Sequence, residues 1–481
     1  MTSPTPAASS FGSLPLSPAM QDNLQSLGYL SMTPIQAASL PLTLAGDDLI
    51  AQAKTGSGKT AAFALPMLHR LATASFAVQG MVMCPTRELA DQVAQEIRRL
   101  ARFEPNIKVL TLCGGATMRP QIESLAHGAH IVVGTPGRLM DHLERGTLNL
   151  EGLQTLVLDE ADRMLDMGFH DDIVAVTRQC PKKRQTLLFS ATYPEGIAKL
   201  SAQFLRAPKE VKVESHHDAA KIRQLWFEVA SATRLDAVAQ LLLHYRPAST
   251  IAFCNTKQQC RDLVEVLTAH GIEAIALHGD LEQRDRDQVL IQFANRSASV
   301  LVATDVAARG LDIAQLEAVI NVDVTPDPEI HIHRIGRTGR GDAEGLALNL
   351  ASMDEMGRVG NIELLQKRES KWQKLDELAP ASKEPLQPPM VTIQILGGKK
   401  EKIRPGDVLG ALTGDAGLQG SQIGKINVTD FHTYVAVERG IAGKAVSQLN
   451  TVKVKGKKVK ARLLKDVLKD ALKDARPDAA R

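Results

Sequence analysis

The sequence predicts an α/β protein of two three-layer lobes with a small α+β module at its C-terminal end. Three observations predict it. Short, almost continuously apolar strands alternate with amphipathic helical windows from about residue 11 to residue 208. The same alternation starts again after a polar stretch, Glu214-Ser215-His216-His217-Asp218. A separate βαββαβ pattern follows a Pro-rich segment near residue 380. Continuous apolar strands are those of parallel sheets buried on both faces, and alternation with helices places them in a three-layer sandwich. A chain of 481 residues is also too long for one core.

In the first lobe the expected strands are Asp48–Gln52, Gly80–Cys84, Val109–Cys113, His130–Val133, Thr155–Leu158 and Thr186–Phe189. Between the first of these and the helical run Thr60–Leu65 stands Ala53-Lys54-Thr55-Gly56-Ser57-Gly58-Lys59-Thr60. A Gly-rich turn between strand and helix aims backbone N–H groups and a helix N-terminus at phosphates. Lys59 is expected to reach the β- and γ-phosphates of a nucleoside triphosphate, and the Thr60 hydroxyl to ligate Mg2+. Ala53 departs from the generic pattern, which has Gly there. Asp159 and Glu160 follow the strand Thr155–Leu158, at the strand end where α/β sheets place ligands. Asp159 is expected to hold the metal with Thr60, and Glu160 to orient and deprotonate the attacking water.

The second lobe repeats the alternation without a phosphate loop. Its expected strands are Ser249–Cys254, Glu273–Leu277, Val300–Ala303 and Ala318–Val322, with helices near 257–270 and 282–295. One loop for two lobes predicts nucleotide in the cleft between them. His333-Arg334-Ile335-Gly336-Arg337-Thr338-Gly339-Arg340 supplies Arg337 and Arg340, three residues apart, as candidate arginine fingers.

The order of these motifs resembles that of the DEAD-box RNA helicases over residues 11–368, which implies two RecA-like lobes and ATP with Mg2+ as cofactors. Gly28-Tyr29 with Thr33-Pro34-Ile35-Gln36 resembles the Q motif, implying adenine read by Gln36 and stacked under Phe11. Pro85-Thr86-Arg87-Glu88-Leu89-Ala90, Gly114-Gly115 and Thr135-Pro136-Gly137-Arg138 are similar to RNA-backbone motifs, implying RNA contacts at Thr86, Arg87, Gly115, Thr135 and Arg138. Ser190-Ala191-Thr192 resembles the motif that couples hydrolysis to unwinding, through Ser190 and Thr192. His278-Gly279-Asp280, with Gln283 and Arg286, implies RNA contacts at Gly279 and Arg286. The run Ala303–Ile313, with Thr304 and Asp312, resembles the motif touching both RNA and nucleotide. Contacts made by amides, Thr and Arg hold phosphates and sugars without reading sequence, and 2′-hydroxyl contacts favour RNA over DNA.

The net charge is +3, unevenly spread. From Val391 onward 18 basic residues face 9 acidic ones, a balance of +9 that leaves −6 for the remainder. A basic terminal module on an acidic body points to a polyanion partner. Its expected strands are Val391–Leu396, Ile423–Val428, Thr433–Val437 and Val459–Leu463, with helices at Pro405–Leu412 and Ala442–Leu449. This is the pattern of an RNA-recognition-motif-like α+β domain, but the usual base-stacking positions hold only His432 and Tyr434. The stretch 452–462 reads as a hairpin with one cationic face, carrying Lys455, Lys457 and Lys458. Lys399, Lys400, Lys402 and Arg404 of the first loop are further candidates for RNA. The runs Lys402–Asp415, Ile423–Ile426 and Tyr434–Val437 are similar to the C-terminal domain of DbpA-type bacterial helicases. That likeness implies recruitment to a 23S ribosomal RNA hairpin and pre-50S particles, with a role in large-subunit assembly.

The expected organisation is a first lobe over 1–213, a linker over 214–222, a second lobe over 223–370, and a Pro-rich tether over 371–390. The RNA-binding module follows over 391–465, with a tail over 466–481. The Pro content of the second linker favours an extended tether over a packed element. Five cysteines without a CxxC pair fit buried thiols in a reducing cytoplasm. The N-terminal stretch lacks the apolar segment of a signal peptide, and no run is long enough to span a membrane. A cytoplasmic monomer is the expectation. An RNA clamp or annealing factor, and a DNA translocase on the same lobes, stay open as alternatives.

Overall fold

The computed structural model describes residues 10–53, 56–193, 195–213, 221–308, 316–339, 344–382, 384–415 and 417–464. These form two compact units, one running to residue 213 and the other from residue 221 onward. Among the described residues no helix is long and apolar enough to cross a membrane.

The first lobe is built on seven parallel strands: β1 (Leu49–Gln52), β2 (Gly80–Met83), β3 (Val109–Leu112), β4 (Ile131–Gly134), β5 (Thr155–Leu158), β6 (Gln185–Ser190) and β7 (Lys209–Lys212). Their order is β3-β4-β2-β5-β6-β1-β7. Successive side chains point to opposite faces, so each strand feeds two cores. Leu49, Val82, Val157 and Leu187 pack on one side, while Ile50, Met81, Leu156 and Leu188 pack on the other. Helices cover both faces, and β2, β4, β5 and β6 are buried throughout. The edge strand β7 escaped the sequence reading because its Lys-Glu-Val-Lys is polar and largely exposed. Charges there blunt an otherwise open sheet edge.

The second lobe repeats the plan with β8 (Ile222–Glu228), β9 (Thr250–Cys254), β10 (Ala274–Leu277), β11 (Val300–Thr304), β12 (Ala318–Asn321), β13 (Gly345–Ala351) and β14 (Trp372–Gln373), in the order β10-β11-β9-β12-β13-β8-β14. Strands β8 and β13 were not foreseen. Both carry polar residues that interrupt the apolar run: β13 contains Asn349, whose Oδ1 accepts from Asn321 Nδ2 at 2.7 Å inside the sheet. All five cysteines are free and buried.

The C-terminal module has β15 (Met390–Leu396), β16 (Ile423–Val428) and β17 (His432–Glu438). A short hairpin of β18 (Lys453–Val454) and β19 (Lys457–Lys458) follows, then β20 (Lys460–Leu463). The antiparallel sheet runs β16-β17-β15-β20. Val391, Ile393, Ile395, Val435 and Val437 face a core closed by Val408, Ala445 and Leu449 of its two helices.

The opposite face of this sheet corrects two expectations. Tyr434 is 4% exposed, and Thr392, Gln394 and Ala436 are buried beside it. The second lobe lies against them: Asn295 Nδ2 donates to Thr392 Oγ1 at 3.2 Å, Ser297 Oγ lies 2.7 Å from the same hydroxyl, and Asn427 Nδ2 donates to Asn295 Oδ1. Burial and the nearby Arg284 hold His432 below the ordinary imidazole range. Tyr434 is therefore not an exposed stacking platform. The Pro-rich segment is extended, as expected, but it is not a free tether. Leu386 enters the second lobe's core, Gln240 Nε2 donates to the Leu375 and Leu378 carbonyls, and Arg246 Nη1 donates to Glu384 O. Arg439 Nη2 then reaches Glu273 Oε2 at 2.8 Å, while its Nε donates to Pro388 O. Each Pro removes a donor, so the segment is satisfied through its carbonyls by side chains of the lobe.

His331 stacks on Trp226 with centroids 5.5 Å apart and is almost fully buried, which pushes its imidazole down to about 3. The unfolded chain takes a proton near the ordinary value of about 6.5 and the folded one does not. Stability of the second lobe is therefore full above pH 6.5 and falls as pH drops from there toward 3. The slope approaches about 1.4 kcal/mol per pH unit. Thermal melts of the wild type and of His331→Phe between pH 7 and 5 test this. The variant is expected to show a shallower dependence, with the other depressed histidines, His142, His278 and His432, supplying what remains.

Candidate nucleotide and RNA sites

The C-terminal edge of the first sheet divides into two neighbouring halves. Strands β5, β6 and β1 lead into Asp159, Ser190 and the phosphate loop, while β3, β4 and β2 lead into Gly115, Thr135 and Thr86. The sheet order alone thus groups the nucleotide candidates on one side and the RNA candidates on the other.

In the phosphate loop Gly56 and Gly58 have φ of 80° and 92°, the left-handed region that Gly enters without strain. Gly58 precedes the helix Lys59–His69. A Cβ on Gly58 would lie 2.5 Å from Gln36 Nε2, so any other residue would also displace the Gln36 amide. Gln36 is buried; its Nε2 donates to Gly58 O at 3.0 Å and its Oε1 accepts from Thr33 N at 2.9 Å. The Q-motif glutamine is therefore fastened to the phosphate loop. Phe11 is buried edge-on against Tyr29, with centroids 6.1 Å apart. Ala53 follows β1, Ser57 lies in the turn, and Thr60 is the second residue of the helix Lys59–His69. Lys54 and Thr55 lie outside the described residues, as do Asp312 and Arg340.

Among the described residues, Lys59 Nζ and Asp159 Oδ1 are both buried without a hydrogen-bond partner. An ammonium and a carboxylate oxygen left in that state cost several kcal/mol unless something else satisfies them. Burial pushes Asp159 up to about 6; Lys59 pulls it back and Glu160 adds to the rise. A phosphate group fits the cation and a divalent metal fits the anion. The residues present are therefore those that ATP with Mg2+ would use.

Glu160 adopts φ 52°, ψ 49°, a left-handed conformation that costs a non-Gly residue about 1–2 kcal/mol. Arg163 Nη1 holds Glu160 Oε2 at 2.9 Å in a buried pair. The sequence reading missed two residues here, Arg163 and Asp162. Asp162 Oδ2 accepts from Ala191 N at 3.1 Å and from Thr192 N and Oγ1 at 2.9 Å, while Asp162 N donates to Ser190 Oγ at 3.3 Å. These bonds hold its carboxyl below the usual range against the opposing effect of burial. Ser190 and Thr192 are thus bonded directly to the segment carrying Asp159 and Glu160. The third acid of Asp159-Glu160-Ala161-Asp162 was the available signal.

The RNA candidates of this lobe are helix starts and turns. Thr86 caps the helix Arg87–Leu100 by accepting from Leu89 N at 3.3 Å, and Arg87 pairs with Asp91 at 3.8 Å. Thr135 is the N-cap residue of Pro136–Glu144, and Gly115 has φ 74°. Arg138 donates to Ala116 O at 3.0 Å and to Gln121 Oε1 at 3.1 Å, pinning the Gly114-Gly115 turn.

In the second lobe Gly279 follows β10, Thr304 ends β11, and Arg286 Nη2 donates to Ala307 O at 2.6 Å. Arg337 is buried just past the helix Pro328–Ile335. Arg334, which was given no role, is the hub of this region. Its Nε and Nη2 each reach Asp305 at 2.7 Å, Nη1 donates to Asp323 O at 2.8 Å, and its guanidinium carbon lies 5.2 Å from the Phe253 ring centroid. It ties the end of β11 to the helix that precedes Arg337. In the module, Lys455 Nζ donates to Lys402 O and lies 3.8 Å from Asp407, so the hairpin and the first loop meet. Arg404 caps the next helix through its backbone, and Lys457 and Lys458 are exposed.

The DEAD/DEAH box helicase family matches residues 33–200, the helicase conserved C-terminal domain matches 233–342, and the DbpA RNA binding domain matches 392–463. The ATP-dependent RNA helicase DbpA of Escherichia coli is 54% identical over 94% of this chain and 98% of its own. The DEAD-box ATP-dependent RNA helicase CshA of Bacillus cereus is 44% identical over 74% of this chain and 68% of its own. Among solved structures, S. cerevisiae Dbp5 bound to RNA and ADP BeF3 is similar with a TM-score of 0.70 and 30% identity, over 77% of this chain and 96% of that one.

These findings define an RNA-dependent ATPase with two RecA-like lobes and an RNA-binding module. The chain belongs to the DEAD-box ATP-dependent RNA helicases and, within them, to the DbpA type.

Asp162→Ala is expected to leave Ala191 N and Thr192 N without their acceptor. It should destabilise the first lobe by about 1–3 kcal/mol, read as a lower urea midpoint at unchanged slope. Asp162→Asn, which keeps one acceptor oxygen, should recover part of the loss.

Proposed function

We propose that this helicase uses ATP with Mg2+ to open or remodel short helices of 23S ribosomal RNA during large-subunit assembly, acting as a cytoplasmic monomer. The observation that carries the reading is the C-terminal module: a basic domain matching the DbpA RNA binding domain, whose first loop and hairpin gather lysines at one rim. With the sheet face packed against the second lobe, that rim is the proposed RNA surface, Lys399, Lys400, Lys402, Arg404, Lys455, Lys457 and Lys458 neutralising phosphates. Thr86, Arg87, Gly115, Thr135, Arg138, Gly279, Arg286 and Thr304 hold the strand being remodelled by its backbone.

In the nucleotide site Phe11 and Gln36 hold the adenine, and Asp312 contacts the nucleotide from the second lobe. Ala53 to Thr60 wrap the phosphates, and Lys59 neutralises the β- and γ-oxygens. Thr60 and Asp159 would hold Mg2+, which would supply charge neutralisation at the phosphates. Glu160, fixed by Arg163, accepts the proton of the attacking water. Arg337 and Arg340 stabilise the charge that develops during transfer. Ser190 and Thr192, bonded to Asp162, carry the change at the γ-phosphate to the RNA side.

Glu160→Gln is expected to lower RNA-stimulated ATP hydrolysis by roughly 10²–10⁴-fold while ATP binding persists. Full biological activity of this variant would instead identify an RNA-binding or annealing factor whose ATP cycle is only a clamp. A second test is the triple change Lys455→Gln, Lys457→Gln, Lys458→Gln, assayed for ATPase activity with 23S ribosomal RNA and with unstructured RNA of equal length. The expected result is loss of the preference for 23S at unchanged maximal activity on unstructured RNA. Equal stimulation of the wild type by both RNAs would remove the ribosomal assignment.

A further inference from the structure

We infer that Phe431 is a base-stacking site: an unpaired RNA nucleobase lies on its ring while the lysines around it hold the neighbouring phosphates. The inference rests on the cationic rim being the RNA surface of the module, and it adds a residue that no motif singled out.

The described residues from 390 to 464 hold only two large aromatic rings, Phe431 and Tyr434. Tyr434 sits where an RNA-recognition motif presents a stacking ring, but it is buried against the second lobe. Phe431 lies in the turn between β16 and β17 and is 57% exposed. An apolar ring left that open at the end of a basic domain calls for a partner. Lys400 Nζ stands 4.0 Å from its centroid, a cation–π contact that orients the ring and puts a phosphate-binding charge beside it.

The platform is rigid. Gly397 N donates to Phe431 O at 3.0 Å, Lys399 N to Thr429 O at 2.9 Å and Lys400 N to Asp430 O at 3.1 Å. The lysine loop is thereby stapled to the turn that carries the ring. A Cβ on Gly398 would lie 2.3 Å from Thr429 O, so only Gly permits this approach. Thr429 closes the turn itself, its Oγ1 donating to His432 O at 2.8 Å and accepting from His432 N at 3.1 Å. A fixed ring loses little freedom when a base stacks on it. Every base has a π-face, so the contact grips an unpaired nucleotide whatever its identity.

The test uses the nucleotide-free full-length protein and two single-stranded RNAs of equal length and charge. One is intact; the other is abasic at its central positions. The wild type is expected to bind the intact RNA about tenfold more tightly, the discrimination a lost base stack gives. Phe431→Ala and Phe431→Leu should erase that difference, and Phe431→Tyr should keep it, which separates a π-face from mere apolar area. Lys457→Gln with Lys458→Gln should weaken both RNAs alike and flatten the salt dependence by about two counterions. If Phe431→Ala still discriminates intact from abasic RNA, the stacking site is wrong. If the lysine variant binds both RNAs as the wild type does, the cationic-rim reading fails whatever Phe431 shows.

Discussion

An ammonium and a carboxylate oxygen held out of water without hydrogen-bond partners would not persist at the surface of a loop. Lys59 and Asp159 are kept in that state by what surrounds them. One begins a helix whose own apolar face is fully packed; the other ends a strand buried in the middle of a seven-stranded sheet. Hydrophobic burial on both faces of the sheet supplies the stability that this unfavourable electrostatic arrangement consumes. The two opposite charges attract one another, yet Lys59 Nζ and Asp159 Oδ1 stay unbonded among the described residues, and satisfying them is an expected source of affinity in the proposed nucleotide site.

From this pair the other contacts spread in order. Asp159 is followed by Glu160, which Arg163 fixes, and by Asp162, which binds the backbone and hydroxyl after β6. In the second lobe Arg334 plays a comparable part, joining Asp305 to the helix before Arg337. Both hubs are charged side chains satisfied several times over, so a shift at one attached element is felt at the others.

Much of this was legible in the sequence because it rests on short-range chemistry. A Gly-rich loop between strand and helix, an acid pair at a strand end and uninterrupted apolar strands each announce themselves locally. What escaped depends on partners distant in sequence. Strand β7 is polar because it lies at an edge, and β13 tolerates Asn349 because Asn321 answers it across the sheet. The Pro-rich segment looked like a tether because its fixing points, Gln240, Arg246 and Glu273, are more than a hundred residues away. Tyr434 occupied a stacking register, and only Asn295 and Ser297 against the same sheet face reveal that this face is closed. Arg334 drew no attention because a motif quoted for its two later arginines hides the first, which is engaged in folding.

The left-handed backbone at Glu160 has a practical consequence. Glycine adopts that conformation at no steric cost, but Glu160→Gly would also leave the Arg163 guanidinium buried without its carboxylate, a loss larger than the strain it relieves. The awkward backbone is thus locked in place by its own side chain, and no single exchange at position 160 can relax the one without undoing the other.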